Sequence, residues 1–174
     1  GAGKVCGVTR HQLLLDPRIP YTSHNSAACI GLDPYQDAAE VFDTCSAFLE
    51  SNAIQGSDTG LCIALAPSIS DDTIGFGKKA QTSVLEIDQA KGVADAEGAL
   101  MVALGPVGQG TIGAVAAVGL RGSGNDGRFI ELRGIRQVTG VLSVKELKER
   151  TDVACVSCAD LEELDEDNVI DTQD

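Results

Sequence analysis

The sequence predicts an α+β fold with ferredoxin-like or split βαβ layers around a mixed sheet. Three observations predict it. Segments with strand and helix periods intermix along the chain without an internal repeat. The 174 residues are 43% hydrophobic, with no Trp, four Phe and two Tyr, so the chain can build one good aliphatic core or two small ones. The glycine-rich run Gly105–Gly119 falls where a chain leaving a strand would enter a helix.

The elements follow in order. Lys4–Leu15 alternates as a strand, and Ala27–Leu32 reads as its partner after a polar turn around Pro17–Asn25. His11 lies within the first strand pattern and reads as structural. Tyr35–Asn52 is helical, with Val41, Cys45, Phe48 and Leu49 on one face and Asp37 and Glu40 near its positive end. Leu61–Ala66 is a buried strand. Ser70 or Asp71 caps a helix through Leu85, and Ile87–Ala96 is a second short helix. Leu100–Leu104 fits a short strand or a helix end. Thr111–Leu120 is a Gly/Ala helix, Phe129–Arg133 a strand, and Ser143–Arg150 a helix capped by Ser143.

Two segments carry the chemistry. In the first, Gly108, Gly110 and Gly113 spell GxGxxG. Such a turn lets backbone amides approach an anion, and the following helix aims its positive end at the same place. Apolar Leu100–Leu104 before the turn and Glu131, eighteen residues after Gly113, suit a dinucleotide site. A Gly/Ala-faced helix packed closely on a sheet explains the same glycines. The second segment, Pro17–Ala28, is polar and turn-prone between two apolar strands, where loops on a rigid scaffold carry function. His24, between Ser23 and Asn25, is suited to proton transfer or to holding a phosphate oxygen. A hydrogen-bonded turn built on Asn and Ser is the alternative. No nucleophilic triad is legible, because Ser23 and His24 are adjacent and neighbours on a strand point to opposite faces.

The net charge is −13, but nine of the acids lie between Thr151 and Asp174, where there is no Lys or Arg. That segment reads as a solvating tail. Arg121, Arg128, Arg133, Arg136, Lys145, Lys148 and Arg150 form a solvated face or a phosphate-contacting one. Cysteines 6, 29, 45 and 62 sit singly in apolar runs as small buried hydrophobes, which predicts a reducing cytoplasm. Cys155 and Cys158 make a lone CxxC with no second pair of ligands, so no metal site is expected. The uncharged stretch Gly98–Leu120 is too interrupted by Gly, Pro106, Gln109 and Thr111 to be a membrane span, and residues 1–15 lack the apolar core of a signal peptide.

Taken in order, TRHQLLLDPRIPYTSHNSAACIGL, EIDQA at Glu86–Ala90, GQGTIGAVAAVG and FIELRGIR resemble the archaeal tRNA-isoleucine agmatinylcytidine synthetases (TiaS) and their shorter bacterial relatives. The resemblance covers most of residues 4–140. Its most specific elements are the Pro-Tyr-Thr loop with Asn25, the helix start at Gly110–Ala114, and Glu131-Leu132 with Arg136. It implies a partial kinase-like α/β segment over 4–52, a ferredoxin-like and Gly-loop segment over 53–140, and a helix with an acidic tail over 141–174. It also implies ATP, magnesium and a small cationic amine: the cytosine carbonyl is phosphorylated and the amine then displaces the phosphate. The sequence has no counterpart of the family's Ile-Asp-Asp-Thr-Asp loop, oligonucleotide-binding fold or zinc ribbon, so a fragment is expected and tRNA is not expected as its own substrate. With residue chemistry, the resemblance places Arg18, Tyr21, Ser23, His24 and Asn25 on one side of a cleft, Gly108, Gly110, Thr111 and Gly113 at phosphate, and Glu131 and Arg136 at a cationic ligand.

Overall fold

The computed structural model describes residues 4–20, 24–33, 37–54, 56–158, 160 and 162–172. Strand β1 (Lys4–Gln12) pairs antiparallel with β2 (Ser26–Asp33) through the register Val8↔Ile30, Arg10↔Ala28 and Gln12↔Ser26. The start expected at Tyr35 for the next helix falls outside the described residues, and α1 runs Ala38–Asn52, its first turn closed by the Asp37 carboxylate accepting from the Ala39 amide at 2.9 Å. Strands β3 (Gly60–Ile63) and β4 (Leu100–Ala103) form a second antiparallel pair, which settles Leu100–Leu104 as strand. Between them lie α2 (Asp71–Ala80) and α3 (Ile87–Glu97). After α4 (Gly110–Gly122), β5 (Arg128–Glu131) returns to the other edge of β1, giving the sheet order β2-β1-β5.

The fold class is α+β, as expected. The sheet is not mixed: every pairing of named strands among the described residues is antiparallel. The physical reason lies in the connections. No helix lies between β1 and β2, and a parallel pair needs a long crossover, usually helical. Helix α2 ends at Ala80 rather than Leu85, where the Gln81 amide turns back to the carbonyls of Lys78 and Lys79. The acidic segment is more than a solvating tail. Its Val169–Asp171 forms β7 against β6 (Val141–Ser143), and Val153, Val156 and Ile170 pack on Val138, Leu142 and Leu147 of a second small core beside α5 (Val144–Arg150).

The main core gathers around α4. Val115, Ala116 and Leu120 are almost wholly enclosed and meet Phe76, Ala80, Leu85, Ala90 and Ala94 from α2, α3 and the chain between them. Small residues set the spacing. A Cβ at Gly119 would lie 2.0 Å from the Thr73 carbonyl oxygen, and one at Gly77 would lie 2.8 Å from that of Ala116, so α2 and α4 cross with backbones nearly touching. Packing of this kind leaves little room for an aromatic core, in keeping with the composition.

His11 is buried, as expected of a structural residue, but it is also hydrogen-bonded on both sides. Its Nδ1 lies 2.7 Å from Asp126 Oδ1 and its Nε2 lies 2.8 Å from Thr9 Oγ1. A carboxylate accepts and does not donate, so Nδ1 carries the proton and, in the neutral ring, the Thr9 hydroxyl donates to Nε2. The cysteines are free. Of the four cysteines expected to be buried, Cys29, Cys45 and Cys62 are half-buried and Cys6 is exposed, where the register shift between Val5 and Gly7 falls on it.

Candidate functional site: a cleft beside a filled amide nest

Described residues of the Pro17–Ala28 segment and the start of α4 line one cleft. Arg18, Ile19 and Asn25 face it from one side and Gln109, Ile112 and Gly113 from another, with Leu13 and Leu85 among the apolar lining and Ser83 among the polar groups. Contact between the two segments is direct: a Cβ on Gly113 would meet Ala27 Cβ and Leu13 Cδ1 at an ordinary 3.6 Å. Asn25 is fixed by its own hydrogen bonds. Its Nδ2 donates to the Leu14 carbonyl at 2.8 Å, and its carbonyl accepts from the Leu13 amide at 2.9 Å. Arg18 grips Asp16 with Nε and Nη2 at 2.8 and 2.7 Å, which holds the Asp16 carboxyl at about 2 while leaving the guanidinium largely exposed. His24 is exposed next to Asn25 and, contrary to expectation, is not among the residues that line the cleft. Tyr21 and Ser23 lie outside the described residues.

The glycine turn behaves differently from the expectation. Its amides do converge on an anion, and that anion is the carboxylate of Asp58. Asp58 Oδ1 accepts from the amides of Val107 at 3.2 Å and Gly108 at 2.9 Å, and Oδ2 accepts from Gln109 at 2.6 Å. Partial burial pushes the Asp58 carboxyl up, but the amides of Gly108, Gln109, Val107 and Gly110 outweigh it and hold it below its ordinary value. The chain has supplied its own occupant for the positive end of α4.

The individual residues of the turn are therefore spent on protein. A Cβ at Gly110 would lie 2.0 Å from the Asp58 carbonyl oxygen and 2.6 Å from the Gly60 nitrogen, so this glycine is required by the approach of helix to strand. Thr111 is buried and its hydroxyl donates to the Gly108 carbonyl at 2.6 Å, which corrects its assignment to phosphate. Gly108 has φ +91° and packs beside Ala103 and Ile87. Of the GxGxxG glycines only Gly113 faces the cleft. Glu131 and Arg136 do pair, at 3.7 Å, but they sit exposed on and just after β5 and take no part in lining the cleft.

A second helix start is filled in the same way. Glu97, from the end of α3, receives the Ser70 hydroxyl at 2.5 Å, the Ser70 amide at 3.1 Å, and the Thr73 hydroxyl at the start of α2. These bonds, the Ser70 hydroxyl first, hold its carboxyl below the ordinary value. Two of the thiols are poor nucleophiles: burial pushes Cys62 up to about 12 and raises Cys29. Among the described residues no group of three or more His, Cys, Asp or Glu is placed to hold a metal ion, and no helix is long and apolar enough to cross a membrane.

Sequence reasoning missed Asp58, Ser83 and Gln109. Asp58 lies in a polar turn before β3, fifty residues from Gly108, and no local spacing announces that it reaches the later turn. Comparison with protein-family models, curated proteins and solved structures finds no match for this chain.

Proposed function

We propose that this chain is the nucleotide-binding part of an ATP-dependent, TiaS-like ligase, with the phosphate-bearing ligand held in the cleft between Pro17–Ala28 and the start of α4. One observation carries the reading. Arg18 and Asn25, from the first segment singled out in the sequence, share a lining with Gln109 and Gly113 from the second. The mixture suits a nucleotide, since Leu13, Ile19, Leu85 and Ile112 offer apolar surface to a base while Arg18, Asn25, Ser83 and Gln109 add polar groups to the lining. In the intact protein ATP would supply the phosphoryl group that activates a carbonyl for attack by an amine. This chain's residues would bind and orient, with His24 the candidate for moving a proton and the exposed Glu131 and Arg136 left to a separate cationic ligand. Among the described residues no group of three or more His, Cys, Asp or Glu is placed to seat magnesium. A cytoplasmic setting accords with the free cysteines.

Calorimetric titration of ATP and of NAD tests the reading. Binding of ATP with no response to NAD is expected, because the dinucleotide alternative needs the amide nest that Asp58 fills and a Glu131 close to the cleft. Tight NAD binding without ATP binding overturns it.

Replacing His24 by Ala should lower ATP affinity about tenfold while leaving the melting temperature within about a degree, since an exposed loop side chain contributes little to the core. Strong destabilisation with unchanged affinity would assign His24 to the turn instead. A second reading, a non-catalytic binding or scaffolding domain, is favoured by Asp58 itself: a nest closed by the chain's own carboxylate stabilises a fold without any ligand.

A further inference from the structure

We propose that His11 and Asp126 are positioning residues for the cleft, tying the turn between α4 and β5 to β1 and to the end of α2 and thereby setting the wall on which a ligand rests. The proposal rests on reading the cleft as the ligand site. The connectivity of Thr9, His11 and Asp126 is hydroxyl, imidazole, carboxylate, which is that of a nucleophilic triad. Burial excludes that use. Thr9 is 2% exposed and His11 0%, so no substrate reaches the hydroxyl.

The array leads towards the cleft. Asp126 uses both carboxylate oxygens, Oδ1 for His11 Nδ1–H and Oδ2 for Gln81 Nε2 at 2.9 Å. Gln81 also donates to the Gln12 carbonyl at 3.3 Å and directly follows Ala80, a cleft residue whose carbonyl accepts from the Leu14 amide at 3.1 Å. Gln12 in turn donates to the Asn25 carbonyl at 2.8 Å. The turn is seated on the ring itself: Gly127 has φ +91°, and a Cβ there would lie 2.5 Å from His11 Cε1. A single carboxylate thus joins residues 115 positions apart and touches the element that ends at the cleft wall.

Asp126→Ala removes the acceptor of both donors, so the bonds from His11 Nδ1 and Gln81 Nε2 are both lost. Hydrogen exchange at the Leu13 and Leu14 amides, whose acceptors are Asn25 and Ala80, should accelerate about tenfold in the ligand-free protein, with the β3–β4 amides unchanged. ATP affinity should fall by a similar factor, and the imidazole Nδ1–H resonance of His11 should shift. The chain has only two histidines, so that signal is assignable by comparison with His24→Ala. Asp126→Asn retains an acceptor for Gln81, and its NH2 donates to Nδ1 once His11 takes the other tautomer, so exchange and affinity should move less than in Asp126→Ala. Unmoved Leu13 and Leu14 exchange in Asp126→Ala overturns the proposal even if the melting temperature falls, and so does Asp126→Asn accelerating that exchange as much as Asp126→Ala. Absence of ATP binding to the unaltered chain would count against the nucleotide reading only, since the exchange measurement needs no ligand.

Discussion

Gly110→Ala is expected to cost roughly 3 kcal/mol or more, at the top of the usual overpacking range, and a chain of ordinary stability would lose much of its margin. The added methyl would sit 2.0 Å from the Asp58 carbonyl oxygen and 2.6 Å from the Gly60 nitrogen, and neither backbone atom can swing aside as a side chain does. Gly113→Ala supplies the control. It lies in α4, its Cβ meets neighbours at 3.6 Å, and alanine favours a helix interior, so a change of less than about 1 kcal/mol is expected. Chemical denaturation of both variants measures the contrast. A turn shaped mainly to approach phosphate would instead show Gly110→Ala folding normally and failing only to bind ligand.

Acid is expected to weaken the fold through the two carboxylates that close helix starts. Asp58 and Glu97 both titrate below their ordinary values when folded, so the unfolded chain binds their protons first as the pH falls. Their stabilisation is then fully present above the unfolded values of about 4 and lost progressively as the pH drops through the lower folded ones. Asp58→Asn should lower stability at neutral pH by about 1–3 kcal/mol, because one carbonyl oxygen replaces two acceptors and the new amide faces other donors. It should also flatten the acid limb between roughly pH 5 and 3. Denaturation curves across that interval test this, and an acid limb identical in both proteins would place the acid-sensitive groups elsewhere.

Much of the chain was legible because local signals and packing agree. The Ser143 cap and the polar turn between two apolar runs appear where the residues place them, whereas of the face expected on α1 only Val41 is buried and Phe48 is 64% exposed. The cleft was half legible: Arg18, Asn25 and Gly113 line it, while Gln109 and Ser83 carry no spacing that marks them. The error at the glycine turn has a clear cause. GxGxxG states that backbone must come close to something, and the sequence does not say whether that something is a ligand or Asp58. The pairing of His11 with Asp126 was hidden for the same reason, since a contact across 115 positions leaves no local pattern.

The glycines along α4 also bear on how this chain can change over time. Where helix meets helix or strand at Gly110 and Gly119, the opposing surface is main chain, which every residue type shares. A bulky replacement in an ordinary core can be compensated by trimming the side chain it strikes. Here there is nothing to trim, so a second substitution cannot restore the fit without moving a whole element. Suppressors of lesions at these two glycines should therefore be hard to select, while lesions at Val115 or Leu120, which meet side chains, should yield them readily.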